Sequence, residues 1–146
     1  MRKLFVCILC GCCLSLAAQS QIVFFINAGS RASYGNHQEL LIDTKGLCKY
    51  RLSEVNGAVK DSASFTISRQ QLDSIFQKAE QVGFFNLNKK YESGAVDGAG
   101  ILISMNSSGR KHSVQLVNID QPAIKEIVTL VNSMLAPRRI RINYGQ

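Results

Sequence analysis

A chain of 146 residues with a formal charge of +7 is long enough for one domain and no more. Cys7, Cys10, Cys12 and Cys13 crowd the first residues, so Cys48 is alone in the remainder and a disulfide framework is excluded there. The charge is concentrated too: Arg138, Arg139 and Arg141 sit near the C-terminal end, a local basic tail more than a global field.

Met1-Arg2-Lys3 is followed by an uncharged stretch, residues 4–18, that closes on Ala17-Ala18-Gln19-Ser20. A positive end, an apolar run of about 15 residues and small residues behind it form the layout of a signal peptide, and the run is short of the ~20 residues that span a bilayer. Residues 1–20 are therefore expected to be removed after Ala18 or Ser20, and the protein to be exported to the periplasm, the outer surface or the medium. Leu9-Cys10-Gly11-Cys12 partly resembles a lipobox, which would place a lipid anchor on Cys12; an uncleaved anchor is the third reading. Loss of Arg2 and Lys3 lowers the charge from +7 to +5. An exported protein rarely meets nucleic acid, so an anionic envelope polymer or an acidic protein surface is the expected partner. The expected domain is residues 21–136, with a basic tail at 137–146.

Residues 22–26 are an apolar run that predicts a buried strand, and the turn formers of residues 27–36 predict a long exposed loop. Residues 39–42 and 47–52 read as a hairpin closed by Gly46, with Cys48, Tyr50 and Leu52 on one face and Lys49 and Arg51 on the other. Asn56-Gly57 leads into a further strand at 62–67, where Ala63, Phe65 and Ile67 alternate with polar residues. Ser68 and Gln71 have capping-box spacing, Leu72, Ile75, Phe76, Ala79 and Val82 form one helical face, and Gly83 supplies the stop.

Residues 91–100 predict a second long loop, and 101–105 with 112–117 a second hairpin. Pro122 opens a second helix with Ile124, Ile127, Val128, Val131 and Leu135 on its buried stripe, ended by Pro137. The alternation of residues 139–144 suits an edge strand whose arginines guard against sheet-to-sheet aggregation; the other reading is that Arg138, Arg139 and Arg141 bind a partner. The expected architecture is α+β: a single antiparallel sheet of about six strands, with two amphipathic helices on one face in the order β-β-β-β-α-β-β-α.

The motifs of catalysis are missing. No Gly-x-Ser-x-Gly elbow or His-Glu-x-x-His occurs, and His37 and His112, each read as a surface histidine, give no zinc spacing with Cys48. Glu92 and Asp97 share a loop with too few oxygen ligands for calcium, and Gly94, Gly98 and Gly100 precede a strand where a phosphate loop precedes a helix. No catalytic residue, metal or cofactor is expected, and Cys48 reads as a small buried apolar side chain.

From Glu39 to Leu135 two hairpin strands, Phe65-Thr66-Ile67-Ser68, a helix ending in Phe84-Phe85 and Leu87, Tyr91 and Asp97 before another hairpin, and a helix opened by Pro122 follow in turn. This pattern resembles small bacterial envelope proteins of unknown function and is similar in layout to emfourin-type inhibitors of thermolysin-like metalloproteases. The resemblance implies an exported, non-catalytic module that binds a protein partner, with a secreted peptidase as the first candidate. The resemblance carries over no contact residue; the polar loop at 29–36, with Ser30, Arg31 and Tyr34, is the expected contact segment because recognition resides in exposed loops on a rigid scaffold, and Arg138, Arg139 and Arg141 are a second set. The alternative is an assembly component of the envelope that holds an anionic polymer or another envelope protein through those arginines.

Overall fold

A computed structural model describes residues 21–28, 36–94 and 100–143. Its strands are β1 (Gln21–Ala28), β2 (Asn36–Ile42), β3 (Leu47–Glu54), β4 (Val59–Thr66), β5 (Lys90–Glu92), β6 (Gly100–Ser107) and β7 (Arg110–Val117). The helices are α1 (Arg69–Gln81) and α2 (Pro122–Leu135). The α+β class is as expected, but the strand arrangement differs from about six antiparallel strands. Two three-stranded groups, β4-β3-β2 and β6-β7-β5, are joined by β1, which pairs with β2 on one side and β6 on the other. β5 overlaps the start of the stretch 91–100 expected to be loop, and it pairs with β7 in parallel.

One apolar cluster unites the inward residues of the strands with both helices. Leu40 and Ile42 of β2, Cys48 and Tyr50 of β3, Ile101, Ile103 and Met105 of β6, and Val114 and Leu116 of β7 contribute from the sheet. Leu72, Ile75 and Ala79 of α1 and the five expected residues of α2 contribute from the helices. The period-2 and period-3.6 patterns therefore meet at one interface. Phe76 and Val82 are only partly buried, as are Ala63 and Phe65 on β4, which is the end strand of the sheet and has a neighbour on one side only.

Local chemistry sets the element ends. Ser68 Oγ accepts from Gln71 N at 3.1 Å while Gln71 Oε1 accepts from Ser68 N at 2.8 Å, so two orphan donors of α1 are satisfied reciprocally. Ser68→Ala is expected to cost about 1 kcal/mol, read as a lower urea midpoint with an unchanged m-value. Gly83, at φ +71°, stops the helix and turns the chain into Phe84, which is buried with its ring edge-on to Phe85 and His112. Gln121 Oε1 accepts from Ile124 N to open α2.

The C-terminal residues differ most from expectation. Ile140 and Ile142 are buried and Arg139 and Arg141 exposed, as alternation requires, yet residues 139–143 belong to no strand. Side-chain amides take the place of a neighbouring strand. Asn132 of α2 accepts from Ile142 N at 2.7 Å and donates to Ile142 O at 2.9 Å. Gln38 of β2 donates to Arg141 O at 3.1 Å and accepts from Asn143 N at 3.0 Å. The segment is a strap pinned to the core, and the edge-strand expectation is corrected.

Candidate functional site

Among the described residues, ionisable groups do not gather into anything resembling a reaction centre. No group of three or more His, Cys, Asp or Glu side chains is placed there to hold a metal ion, and no helix is long and apolar enough to cross a membrane. His112 is corrected from a surface histidine to a partly buried one: its Nε2 lies 3.0 Å from Leu87 O, so Nε2 carries the proton and donates. His37 is also partly buried, lining a shallow depression of about 270 Å³ with Glu39, Arg51 and Ser53. Glu92 stands in β5, paired with Lys90 at 2.6 Å, whereas Asp97 lies outside the described residues, as do Cys12 and the loop residues Ser30, Arg31 and Tyr34.

Cys48 is fully buried, and burial raises its thiol from 9.0 to about 11, outweighing the opposing field of Arg138. The folded thiol therefore holds its proton more tightly than the unfolded one. Its contribution to stability is complete below pH 9 and is lost as the pH climbs toward about 11. Burial also raises Tyr50, which acts in the same direction. Alkylation of Cys48 by iodoacetamide at pH 8 is expected to track unfolding: slow in buffer, fast above the urea midpoint.

The three C-terminal arginines do different things. Arg138 is tied to the edge strand: its guanidinium lies 4.4 Å from the centre of the Phe65 ring and donates to Thr66 O at 3.2 Å. It thus covers the end of β4, and in this sense one arginine does guard a sheet edge, although from a helical turn and not from a strand. Arg139 and Arg141 instead line a cleft of about 460 Å³ with Thr129, Asn132, Ala136 and Ile140. The surface carboxylates that do form ion pairs, such as Glu54 with Lys60, Asp73 with Arg69 and Glu126 with Lys78, are engaged elsewhere. Among the described residues neither Arg139 nor Arg141 has a carboxylate partner.

The cleft is built by both walls. Thr129, Asn132 and Ala136 follow one another at helical spacing along α2 and the turn after it, and the strap forms the facing wall. Arg139 is at φ +58°, ψ +22°, a left-handed conformation that reverses the chain after the short 3₁₀ turn at Ala136–Arg138. No motif marks Asn132 and Gln38, which fasten the strap. Their signal in the sequence is a polar residue at an inward position: Gln38 is in register with buried Leu40 and Ile42, and Asn132 lies between Val128 and Leu135 on the apolar side of α2.

The family model DUF6438, described as a domain of unknown function, matches residues 35–135. The match ends at the last residue of α2, so most of the helical wall of the cleft lies inside it and the strap outside. No curated protein matches the chain.

Proposed function

We propose that this chain, which belongs to the DUF6438 family of domains of unknown function, is an exported, non-catalytic binding module that holds its partner through Arg139 and Arg141. The observation that carries this reading is the fate of the basic tail. Arg138 covers the edge of β4, but residues 139–143 form no strand; they are fastened by Asn132 and Gln38 so that Arg139 and Arg141 face solvent over a cleft. Fixing two long cationic side chains on a pinned strap lowers the ordering cost that a flexible tail would meet on binding. Export is supported by the signal-like layout of residues 1–20.

The partner is an anionic component of the cell envelope. Replacing Arg139 and Arg141 together by Gln is expected to abolish a salt-sensitive retention of the protein in the envelope fraction without lowering its melting temperature. Arg138→Gln is expected to do the reverse, lowering thermal stability through loss of the Phe65 and Thr66 contacts while retention persists. Retention that ignores the double replacement would overturn the proposal. The peptidase-inhibitor form of the binding reading is supported by the layout resemblance and uses Ser30, Arg31 and Tyr34. It predicts inhibition of a secreted metallopeptidase at micromolar protein that survives the arginine replacements, and a panel of secreted proteases left fully active removes it.

A further inference from the structure

We infer that the cleft between α2 and the strap is a receptor for a phosphoryl group, an assignment that rests on the binding reading above and names its ligand. The lining supplies donors and positive charge. Each guanidinium is a planar fork of N–H groups that stays charged at any physiological pH, and Thr129 adds a hydroxyl. Asn132 is spent on the backbone of Ile142, through both its oxygen and its nitrogen, so it fixes the wall without competing for ligand. Among the described residues no Asp or Glu lines the cleft, and a cation would find no carboxylate to meet it.

The number of donors favours phosphoryl over carboxylate. A carboxylate presents a flat pair of oxygens that one guanidinium fork can satisfy, leaving the second arginine idle. A phosphoryl group presents three oxygens in a tetrahedral array, enough to engage both forks and the hydroxyl at once. The cleft, at about 460 Å³, is also larger than a free anion requires, and Ala136 and Ile140 give it an apolar side. The ligand is therefore a phosphoryl group carried on a larger organic body, a polymer or a lipid headgroup.

The backbone of Arg139 is the second, independent observation. At φ +58° it holds a conformation that glycine adopts freely and an L side chain only at a cost. A chain reversal selected for stability alone is best served by glycine. Arginine stands there nonetheless, and its side chain lines the cleft.

The test is a titration of the purified ¹⁵N-labelled protein with inorganic phosphate, alongside sodium acetate at matched ionic strength. Saturable shifts of the amide signals of Thr129, Asn132, Ile140 and Arg141 are expected in phosphate, and much weaker ones in acetate, which engages one fork only. Arg139→Gly and Arg141→Gln should each weaken the phosphate response at least tenfold. Arg139→Gly should do so with an unchanged or higher melting temperature, which a purely structural arginine would not show. Co-sedimentation with phosphatidylglycerol vesicles, lost in both variants, would identify the source as a lipid headgroup; phosphate binding without co-sedimentation would leave the phosphoryl site standing and exclude that lipid surface as its source. Equal shifts in acetate, or phosphate binding unaffected by the variants, would overturn the assignment. If envelope retention still depends on both arginines while phosphate leaves the amides unmoved, the phosphoryl assignment falls and the binding reading stands. Phosphate binding without arginine-dependent retention would instead overturn the envelope-binding reading and support the phosphoryl site.

Discussion

Ile142→Ala is expected to lower folding stability by about 2–4 kcal/mol, a large effect for a residue so near the chain end. Ile142 is 1% exposed, and its side chain enters the same apolar cluster as the buried stripe of α2. Asn132→Ala should cost about 1–3 kcal/mol by a different route, because the backbone N–H and C=O of Ile142 lose the side-chain amide that pairs with both. The two losses should not add. Once either change has released the strap, the other group no longer contributes, so the double variant is expected to fall at least ~1 kcal/mol short of the sum. Urea denaturation of the four species measures this directly, and additivity to within a few tenths of a kcal/mol would show that the strap does not dock as a unit. The same coupling bears on function. A released strap carries Arg139 and Arg141 away from Thr129, so Asn132→Ala should weaken binding at the cleft although the Asn132 side chain is committed to the strap backbone.

The strap also shows where sequence reading reaches its limit. Alternation of Arg139, Ile140, Arg141 and Ile142 announces an extended segment with one buried face, and that much is true of the structure. Alternation says nothing about what satisfies the backbone. A strand edge and a pair of side-chain amides can both do it, and the choice depends on Gln38, about a hundred positions away in the chain, lying beside the strap. β5 is silent in the sequence for a related reason: three residues carry no period, and Lys90–Glu92 becomes a strand only because β7 offers an edge to pair with. The helices are legible because each encodes its own ends and its own face. Ser68 with Gln71 and Gln121 with Pro122 mark the starts, and the stripes from Leu72 and from Ile124 mark the buried sides. Composition names the arginines of the tail, but their division of labour lies beyond it. That Arg138 lies over Phe65 while Arg139 and Arg141 face a cleft follows from the left-handed turn at Arg139, a position where glycine would have advertised the bend and arginine conceals it.

Gly46→Ala is expected to be the most damaging addition of a single methyl group, at about 3–5 kcal/mol, out of a total stability of about 5–15 kcal/mol for a domain of this size. Two costs combine. Gly46 is at φ +80°, where an L side chain is strained by about 1–2 kcal/mol. A Cβ there would also stand 2.5 Å from Ile67 O, a backbone atom that cannot rotate aside. Relieving that clash must separate β3 from the end of β4 and stretch the 2.9 Å bond from Ile67 N to Gly46 O. Gly57→Ala isolates the first cost, since Gly57 is at φ +88° with nothing within 4 Å of the added carbon, and it should lose only about 1–2 kcal/mol. Equal urea midpoints for the two variants would show that the close approach at Ile67 contributes nothing. Thr66, adjacent to Ile67, offers the carbonyl that Arg138 binds, so displacing the end of β4 also weakens the Arg138 contact, a loss of stability and not of binding. Gly46→Ala and Gly57→Ala, at a temperature where both remain folded, should therefore bind at Arg139 and Arg141 as the parent chain does.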